Sequence, residues 1–240
     1  MNDTIFPDPE NPNSLSRQPA QVGSETILLN RYLIQEILGT GGMGFVYKAR
    51  DLHFNSVKKF VAIKEIINQA PDPGIQKTNI QNFEHEAGIL ATLDHPSIPG
   101  VIDYFSIEDK SYLVLEYISG KDLETTISET PGFLDEDTVR GWAIQICDVL
   151  AYLHTHQPDP IIFRDIKPSN IMINPDGKIV LIDFGIAKLF QVGEKGTIIG
   201  TEGYSPPEQY RGVVTPQVDI YALGATLHHA LSRRDPRLEP

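Results

Sequence analysis

The spacing of apolar residues changes along the chain, from the two-residue alternation typical of strands to the period of about 3.6 residues typical of helices. Between residues 32 and 64, the aromatic and β-branched runs Phe45–Tyr47 and Phe60–Ile63 predict strands around a glycine-rich turn. Two more strands are expected at 101–106 and 112–116, on either side of a polar turn. This part of the chain is therefore predicted to be rich in β-structure.

Helical spacing dominates the remainder of the sequence. Helices are predicted at 80–93, at 137–155 and, from a final apolar stretch, at 216–231. Short strands are expected between the last two helices, at 161–162, 171–173 and 179–182. A β-rich half followed by a mainly helical half predicts an α+β fold with two lobes and a cleft between them.

The same patterns divide the chain into three segments. Residues 1–29 are rich in Pro, Asn, Ser and Gln and contain few large apolar side chains. Because such a segment buries too little surface to offset its ordering entropy, we expect a flexible leader, with the folded part beginning near Tyr32. Residues 30–118 are assigned to a small N-terminal lobe and residues 119–240 to a helical C-terminal lobe.

Composition and charge exclude several classes of function. The 240 residues carry 20 Lys and Arg against 32 Asp and Glu, a net charge of −12, which disfavours binding to nucleic acid or anionic lipid. The single cysteine, Cys147, excludes an internal disulfide or a cysteine-rich metal cluster and is expected to be buried in a helix. No apolar run is long enough to span a membrane and the N-terminal residues do not resemble a secretion signal, so a cytoplasmic setting is predicted.

A glycine-rich segment with the spacing G-x-G-x-x-G-x-V covers residues 39–46. A dinucleotide-binding turn would need a helix directly after the glycines, whereas Phe45 and Val46 predict a strand. Glycines let the backbone approach phosphate closely and present N–H groups to it. A flap that covers phosphates and a plain glycine-rich hairpin both remain open at this point.

A lysine, Lys64, ends the apolar strand 60–63. It is either an edge lysine that reaches water or a buried cation that needs a carboxylate partner. Glu86, on the polar side of the helix at 80–93, is the favoured partner, and Glu84 is the competing one.

A third polar cluster spans residues 163–170 and contains Arg164, Asp165, Lys167 and Asn170. Isoleucine-rich strands are predicted on both sides of it, so a solvated polar face does not explain it well. Plain turn chemistry is the alternative.

A fourth cluster, Asp183 followed by Phe184 and Gly185, comes directly after the apolar run 179–182. A carboxylate at a strand end beside a flexible glycine suits a metal ligand on a mobile hinge.

The order and spacing of these four clusters resemble those of eukaryotic-type (Hanks-type) serine/threonine protein kinases. Residues 200–212 resemble the corresponding segment of bacterial members of that family. The resemblance covers about residues 32–240. It implies a bilobal kinase fold that transfers the γ-phosphate of ATP to Ser and Thr hydroxyls of proteins, with autophosphorylation. By the same resemblance, Asp165 accepts or orients the substrate hydroxyl proton, Lys167 neutralises the transferred phosphoryl group, and Lys64, paired with Glu86, holds the α- and β-phosphates.

Cofactor contacts are also implied by the resemblance. Asn170 and Asp183 are expected to hold Mg²⁺. The residues expected around ATP are Leu38, Gly39, Thr40, Gly41, Gly42, Met43, Gly44, Phe45, Val46, Ala62, Lys64, Leu115, Glu116, Ile118, Asp122 and Met172.

Residues near the catalytic cluster bear on the substrate and on regulation. Lys167, two positions after Asp165, is similar to Ser/Thr rather than Tyr kinases, and Thr201 is implied to touch both of these residues. Arg164 is implied to dock a phosphorylated activation loop. Thr197 has the spacing of the phosphorylated residue, with an ordinary loop threonine as the alternative.

The chain departs from the family pattern in several places. Phe163 replaces the usual His, and Glu208 lacks the Arg that normally pairs with it from the family's last helices, so a truncated C-terminal lobe is expected. His154 and His156 are interpreted as part of a polar loop rather than as metal ligands. A catalytically dead nucleotide-binding scaffold and a small-molecule phosphotransferase are the alternative functions.

Overall fold

Two antiparallel sheets and four α-helices account for the architecture of the part of the chain that the computed structural model describes, residues 25–41, 44–54, 56–67, 73–183 and 200–238. The strands are β1 (Ile27–Leu28), β2 (Tyr32–Gly41), β3 (Gly44–Asp51), β4 (Lys59–Ile67), β5 (Val101–Ile107), β6 (Lys110–Glu116), β7 (Lys121–Asp122), β8 (Ile171–Ile173) and β9 (Ile179–Leu181). The helices are α1 (Pro73–Ala91), α2 (Leu123–Glu129), α3 (Glu136–His154) and α4 (Pro216–Ser232).

The larger sheet forms the small lobe and has the order β1-β2-β3-β4-β6-β5. Along β3 the residues on one face, Tyr47, Ala49 and Asp51, are buried, while those between them are half-buried. The buried face forms an apolar cluster with Ile63 of β4 and Val114 of β6. The period of two read from the sequence therefore sets which face of each strand enters the core and which faces the cleft.

The large lobe is built around α3 and α4. The predicted apolar face of α3 is confirmed, since Trp142, Ile146, Leu150 and Leu153 are all buried. The helix begins where predicted because the Asp135 carboxylate accepts a hydrogen bond from the Thr138 N–H at 2.9 Å, which caps the first turn. The small sheet β7-β8-β9 lies in the same lobe.

The apolar core of the large lobe also receives the helix of the small lobe. Phe83 and Ala87 of α1 belong to the same buried cluster as Ile146 of α3 and Ile171 of β8. Helix α1 starts at Pro73, before the predicted residue 80. The sequence pattern did not indicate its first two turns, because they are mostly polar and have no apolar period.

Several expectations about local structure were wrong. Residues 161–162 form no strand; the Ile161 N–H donates instead to the Leu153 carbonyl at the end of α3, at 3.0 Å. Helix α2 was not predicted, although Asp122 is a recognisable N-cap that accepts from the Thr125 N–H at 2.7 Å. Cys147 is exposed rather than buried.

The folded part also begins before Tyr32. Strand β1 lies inside the segment expected as a leader, and its Leu28 is 7% exposed and belongs to the core of the small lobe. Ile27, the neighbouring residue, points the other way and is 48% exposed.

We expect Leu28→Ala to lower the free energy of unfolding by about 2 kcal/mol or more, because it removes a buried side chain from the core. Ile27→Ala, the matched control on the exposed face, should change it by about 0.5 kcal/mol or less. Chemical denaturation measures both. Equal losses in the two variants would contradict the placement of β1 in the small lobe.

Candidate active site

A buried carboxylate, Asp219 in the first turn of α4, fixes the polar cluster that follows Ile162. Its side chain is fully buried and accepts hydrogen bonds from the backbone N–H of Phe163 at 2.9 Å and of Arg164 at 2.7 Å. His154 Nε2 lies 2.7 Å from the same carboxylate and donates to it, since a carboxylate can only accept. Three donors compensate a charge that burial would otherwise make costly.

Asp219 thereby holds the backbone of the predicted catalytic segment in an unusual conformation. Arg164 has a φ of 66°, in the left-handed region, and its carbonyl accepts from Gln209 Nε2 at 3.1 Å. Such a conformation persists where surrounding contacts determine it. His154 and Gln209 were missed as site residues, because the partner of each is distant in sequence: Asp219 lies 65 residues after His154, and Arg164 lies 45 residues before Gln209.

Asp165 lies at the centre of the next group of contacts and is 6% exposed. Its Oδ1 accepts from Thr201 Oγ1 at 2.7 Å, and its Oδ2 accepts from Asn170 Nδ2 at 3.0 Å. Lys167 Nζ lies 3.2 Å from Asp165 Oδ2 and donates to Thr201 Oγ1 at 3.2 Å. The two contacts expected of Thr201 are therefore present, and the carboxylate is held in one orientation as a hydrogen-bond acceptor.

A second pair of charges joins the two lobes. Lys64 Nζ at the cleft face of β4 forms an ion pair with Asp183 Oδ1, just after β9. Asp183 has a φ of 64°, again in the left-handed region. The Glu86 side chain lies outside the described residues, so its expected pairing with Lys64 remains a prediction, and the competing Glu84 is exposed.

Asn170 and Asp183 offer oxygen atoms to one cavity. The Asn170 side chain donates from Nδ2 to Asp165, which leaves its Oδ1 as an acceptor. The Ile182 N–H donates to the Asn170 carbonyl at 2.9 Å and so holds the residue before Asp183 against this segment. An amide and a carboxylate oxygen are hard ligands that suit Mg²⁺. Among the described residues no group of three or more His, Cys, Asp or Glu could enclose a metal alone, so these two would share the ion with water or phosphate oxygens.

The cavity itself has a volume of about 830 Å³ and lies between the two lobes. The expected residues that it brings together are Leu38, Gly39, Thr40, Gly44, Phe45, Val46, Ala62, Lys64, Leu115, Glu116, Ile118, Asp122, Lys167, Asn170, Met172 and Asp183. Gly41 ends β2, whereas Gly42 and Met43 lie outside the described residues. Leu38 and Met172 enter from different lobes, so both lobes are needed to close the cavity.

The glycine-rich segment is a hairpin between β2 and β3, with Gly41 paired to Gly44 near its tip. Gly44 has a φ of 144°, and a Cβ atom there would lie 2.0 Å from the Glu65 carbonyl oxygen. Only glycine fits this position. Because a strand follows the glycines, the structure excludes the dinucleotide-binding turn.

The segment after β6 borders the opposite edge of the cavity. The Glu116 N–H donates to the Gly100 carbonyl at 2.9 Å, so this group is not available to a ligand. Ile118 lines the cavity, and within the described part of the chain its N–H and carbonyl make no backbone hydrogen bond. This arrangement leaves a donor and an acceptor of the kind that can read the edge of a planar heterocycle.

The segment 200–205 was expected to be functional only through Thr201, but Tyr204 also holds it in place. Its hydroxyl group lies 2.7 Å from His229 Nδ1 in α4. Burial lowers the pKa of His229, so the ring is neutral near pH 7 and shares one hydrogen bond with the Tyr204 hydroxyl. Glu208 is half-buried and makes no ion pair with another described residue. Thr197 lies outside the described residues.

Comparisons with known proteins agree on one family. A family model described as "Protein kinase domain" matches residues 32–239. Serine/threonine-protein kinase B of Synechocystis sp. is 33% identical over 245 residues, which are 96% of this chain and 42% of that protein. Serine/threonine-protein kinase PknA of Nostoc sp. is 35% identical over 224 residues, 89% of this chain and 39% of that protein. The chain thus spans less than half the length of these curated relatives.

A solved structure, "PpkA-294 apo form", has a similar fold. Its TM-score is 0.73 at 27% sequence identity, covering 88% of this chain and 78% of that chain. The described helices include none that is long and apolar enough to cross a lipid bilayer.

His229 should make the folded chain sensitive to acid. Its pKa is lowered below 6.5 by burial, a direction that Arg237 and His228 reinforce and Asp235 and Glu124 oppose. The unfolded chain therefore binds a proton first, and the free energy of unfolding falls as the pH drops through 6.5 towards the folded-state pKa. The variant His229→Asn keeps an acceptor for the Tyr204 hydroxyl and should lose less stability than wild type between about pH 7.5 and about pH 5.5 in urea denaturation. The same loss in both proteins would contradict a neutral, buried His229.

Proposed function

The chain belongs to the protein kinase domain family, and we propose that it transfers the γ-phosphate of ATP to serine or threonine hydroxyls of proteins. The observation that carries the proposal is the Asp165 carboxylate. It is buried and oriented by Thr201 and Asn170, next to a lysine that lines the interlobe cavity.

Each step of the transfer has a group in this site. Asp165 accepts or orients the proton of the substrate hydroxyl as its oxygen forms a bond to the γ-phosphorus. The bond from that phosphorus to the β,γ-bridging oxygen breaks, and ADP carries away the electron pair. Lys167 and Lys64 supply positive charge to the phosphates, which is the main requirement of a reaction that depends on positioning and electrostatics.

Asn170 and Asp183 are the residues that would hold Mg²⁺. When bound, the ion neutralises negative charge on the phosphates. The ion pair of Lys64 with Asp183 keeps the lysine of the small lobe and the proposed metal ligand of the large lobe at the same end of the cavity.

Protein serine and threonine side chains are the proposed acceptors. The contacts of Thr201 with both Asp165 and Lys167 are those that the resemblance to Ser/Thr kinases implies, and the relatives named above are serine/threonine-protein kinases. The replacement at Phe163 does not release the catalytic segment, because its backbone N–H still binds Asp219.

We expect Asp165→Asn to lower phosphate transfer by about 10²- to 10⁴-fold, since the amide cannot take up the hydroxyl proton. Transfer of radiolabelled γ-phosphate to the chain itself and to a generic Ser/Thr substrate measures this, with phosphoamino-acid analysis of the product. Asp176→Asn is the matched control, because Asp176 is exposed in the turn after β8.

The outcomes separate the alternatives. Equal transfer by wild type and Asp165→Asn would show that Asp165 is not the base. ATP binding without any transfer by wild type would establish a nucleotide-binding scaffold. Transfer to a small molecule with no phosphoserine or phosphothreonine formed would favour a small-molecule phosphotransferase.

Removal of divalent metal tests the proposed roles of Asn170 and Asp183. We expect transfer to stop in EDTA and to return on addition of Mg²⁺. The variant Asp183→Asn should need a higher Mg²⁺ concentration for half-maximal transfer, because a neutral amide binds the ion more weakly than a carboxylate. Transfer that persists in EDTA would contradict the metal assignment.

A further inference from the structure

A lysine outside the cavity, Lys48 of β3, is surrounded by two aromatic rings and a carboxylate. Its Nζ lies 5.0 Å from the centroid of the Phe60 ring and 5.0 Å from that of the Tyr117 ring. The two rings meet edge to face with centroids 6.2 Å apart. Glu36 Oε1 accepts from Lys48 Nζ at 2.8 Å. We call Lys48, Phe60 and Tyr117 the cation–π clamp.

The clamp lies on the face of the small sheet that borders the cavity. In the ladder of β3 and β4, Lys48 is the cross-strand partner of Ala62, and Val46 is the partner of Lys64. Cross-strand partners share a face, as do residues two apart on one strand. Lys48 therefore shares a face with Val46, Ala62 and Lys64, which line the cavity.

The third member of the clamp belongs to the connection between the lobes. Tyr117 lies between Glu116, the last residue of β6, and Ile118, and all three line the cavity. Lys48 on β3 thus contacts Tyr117, which follows β6, across the intervening strand β4. Ala62, the cross-strand partner of Lys48, and Ile118, the residue after Tyr117, both line the cavity beside this contact.

The environment of Lys48 favours the aromatic contacts over the ion pair. The Lys48 side chain is 21% exposed, whereas Glu36 is 57% exposed. An ion pair with so exposed a partner contributes little, and the two aromatic rings add a cation–π attraction that is stronger where the cation is partly shielded from water. The hydrogen bond that Lys48 donates to Glu36 raises the pKa of Lys48, so the lysine is charged at neutral pH.

We propose that Lys48 is a positioning residue for nucleotide binding, which acts through Tyr117 to hold the interlobe connection against the glycine-rich hairpin. The role rests on the proposed function, because it assumes that the cavity takes an adenine nucleotide. Lys48 does not itself line the cavity. The clamp acts at the end of the cavity formed by Ala62 and Ile118, away from the phosphate-holding Lys64 and Asp183.

The same lobe contains a matched control. Lys59 Nζ lies 4.9 Å from the centroid of the Phe54 ring, so it makes a cation–π contact of the same kind. Neither Lys59 nor Phe54 lines the cavity. A Lys→Met change at each position removes one ammonium group and keeps most of the apolar side chain.

Titration calorimetry with adenosine and, separately, with Mg·ATP tests the proposal on the full chain. Lys48→Met should lower the affinity for both ligands by the same factor, about three- to tenfold. Lys48→Arg should restore binding, because guanidinium also stacks on aromatic rings. Lys59→Met should bind both ligands like wild type. Lys64→Met, by contrast, should lower the affinity for Mg·ATP and leave the affinity for adenosine unchanged.

Kinetics supply a second readout. The KM for ATP of Lys48→Met should rise by the factor seen in calorimetry, while kcat at saturating ATP changes by about twofold or less. Phe60→Leu removes one ring and keeps the ammonium group, and it should also weaken the binding of adenosine. This variant tests the cation–π clamp even if Lys48→Met folds poorly.

The results that overturn the proposal are distinct from those that overturn the proposed function. Wild-type affinity for adenosine in both Lys48→Met and Phe60→Leu would overturn the positioning role alone. An equal loss in Lys59→Met would also overturn it, since the effect would then belong to the small lobe as a whole. A wild-type chain that binds neither adenosine nor Mg·ATP would overturn the proposed function and the role of Lys48 with it.

Discussion

The site depends on a single buried carboxylate, that of Asp219, which accepts from two backbone N–H groups and one imidazole at 2.7 to 2.9 Å. Because it is fully buried, the charge is stable only while all its donors remain in place. This requirement joins the end of α3, the segment at Phe163 and the first turn of α4. Asp165 follows directly on this anchored backbone, and its carboxylate lies beside Lys167, which lines the cavity.

The polar clusters could be recognised from the sequence because each is short and is bounded by apolar strands. Local patterns alone indicated both Lys64 and Asp183, which lie in and just after strands of buried apolar residues. The expectation that Lys64 ends its strand was wrong, because β4 continues to Ile67 with Glu65 and Ile66 buried. The apolar period of α3 gave its buried face and its limits to within one residue. Strand β1 was missed because a two-residue strand carries no pattern, and only its pairing with β2 reveals it.

Contacts between distant segments could not be predicted in this way. His154 reads as part of a polar loop until α4 is placed beside it, and Gln209 gives no local signal for its bond to the Arg164 carbonyl. Lys48 resembles an ordinary strand residue until the sheet brings Tyr117 beside it. In each case tertiary packing determines which residue becomes the partner. The reactive residues of the site can therefore be recognised from local sequence, whereas their contacts cannot.

We propose that Lys64 and Lys167 contact the phosphates of one nucleotide in the cavity that both residues line. An acyl-phosphate derivative of ATP transfers its acyl group to amines near the bound phosphates, and mass spectrometry then identifies the modified lysines. We expect acylation of Lys64 and Lys167, with protection of both by excess Mg·ATP. Modification spread over exposed lysines such as Lys58 and Lys59, with no protection at Lys64 or Lys167, would contradict it.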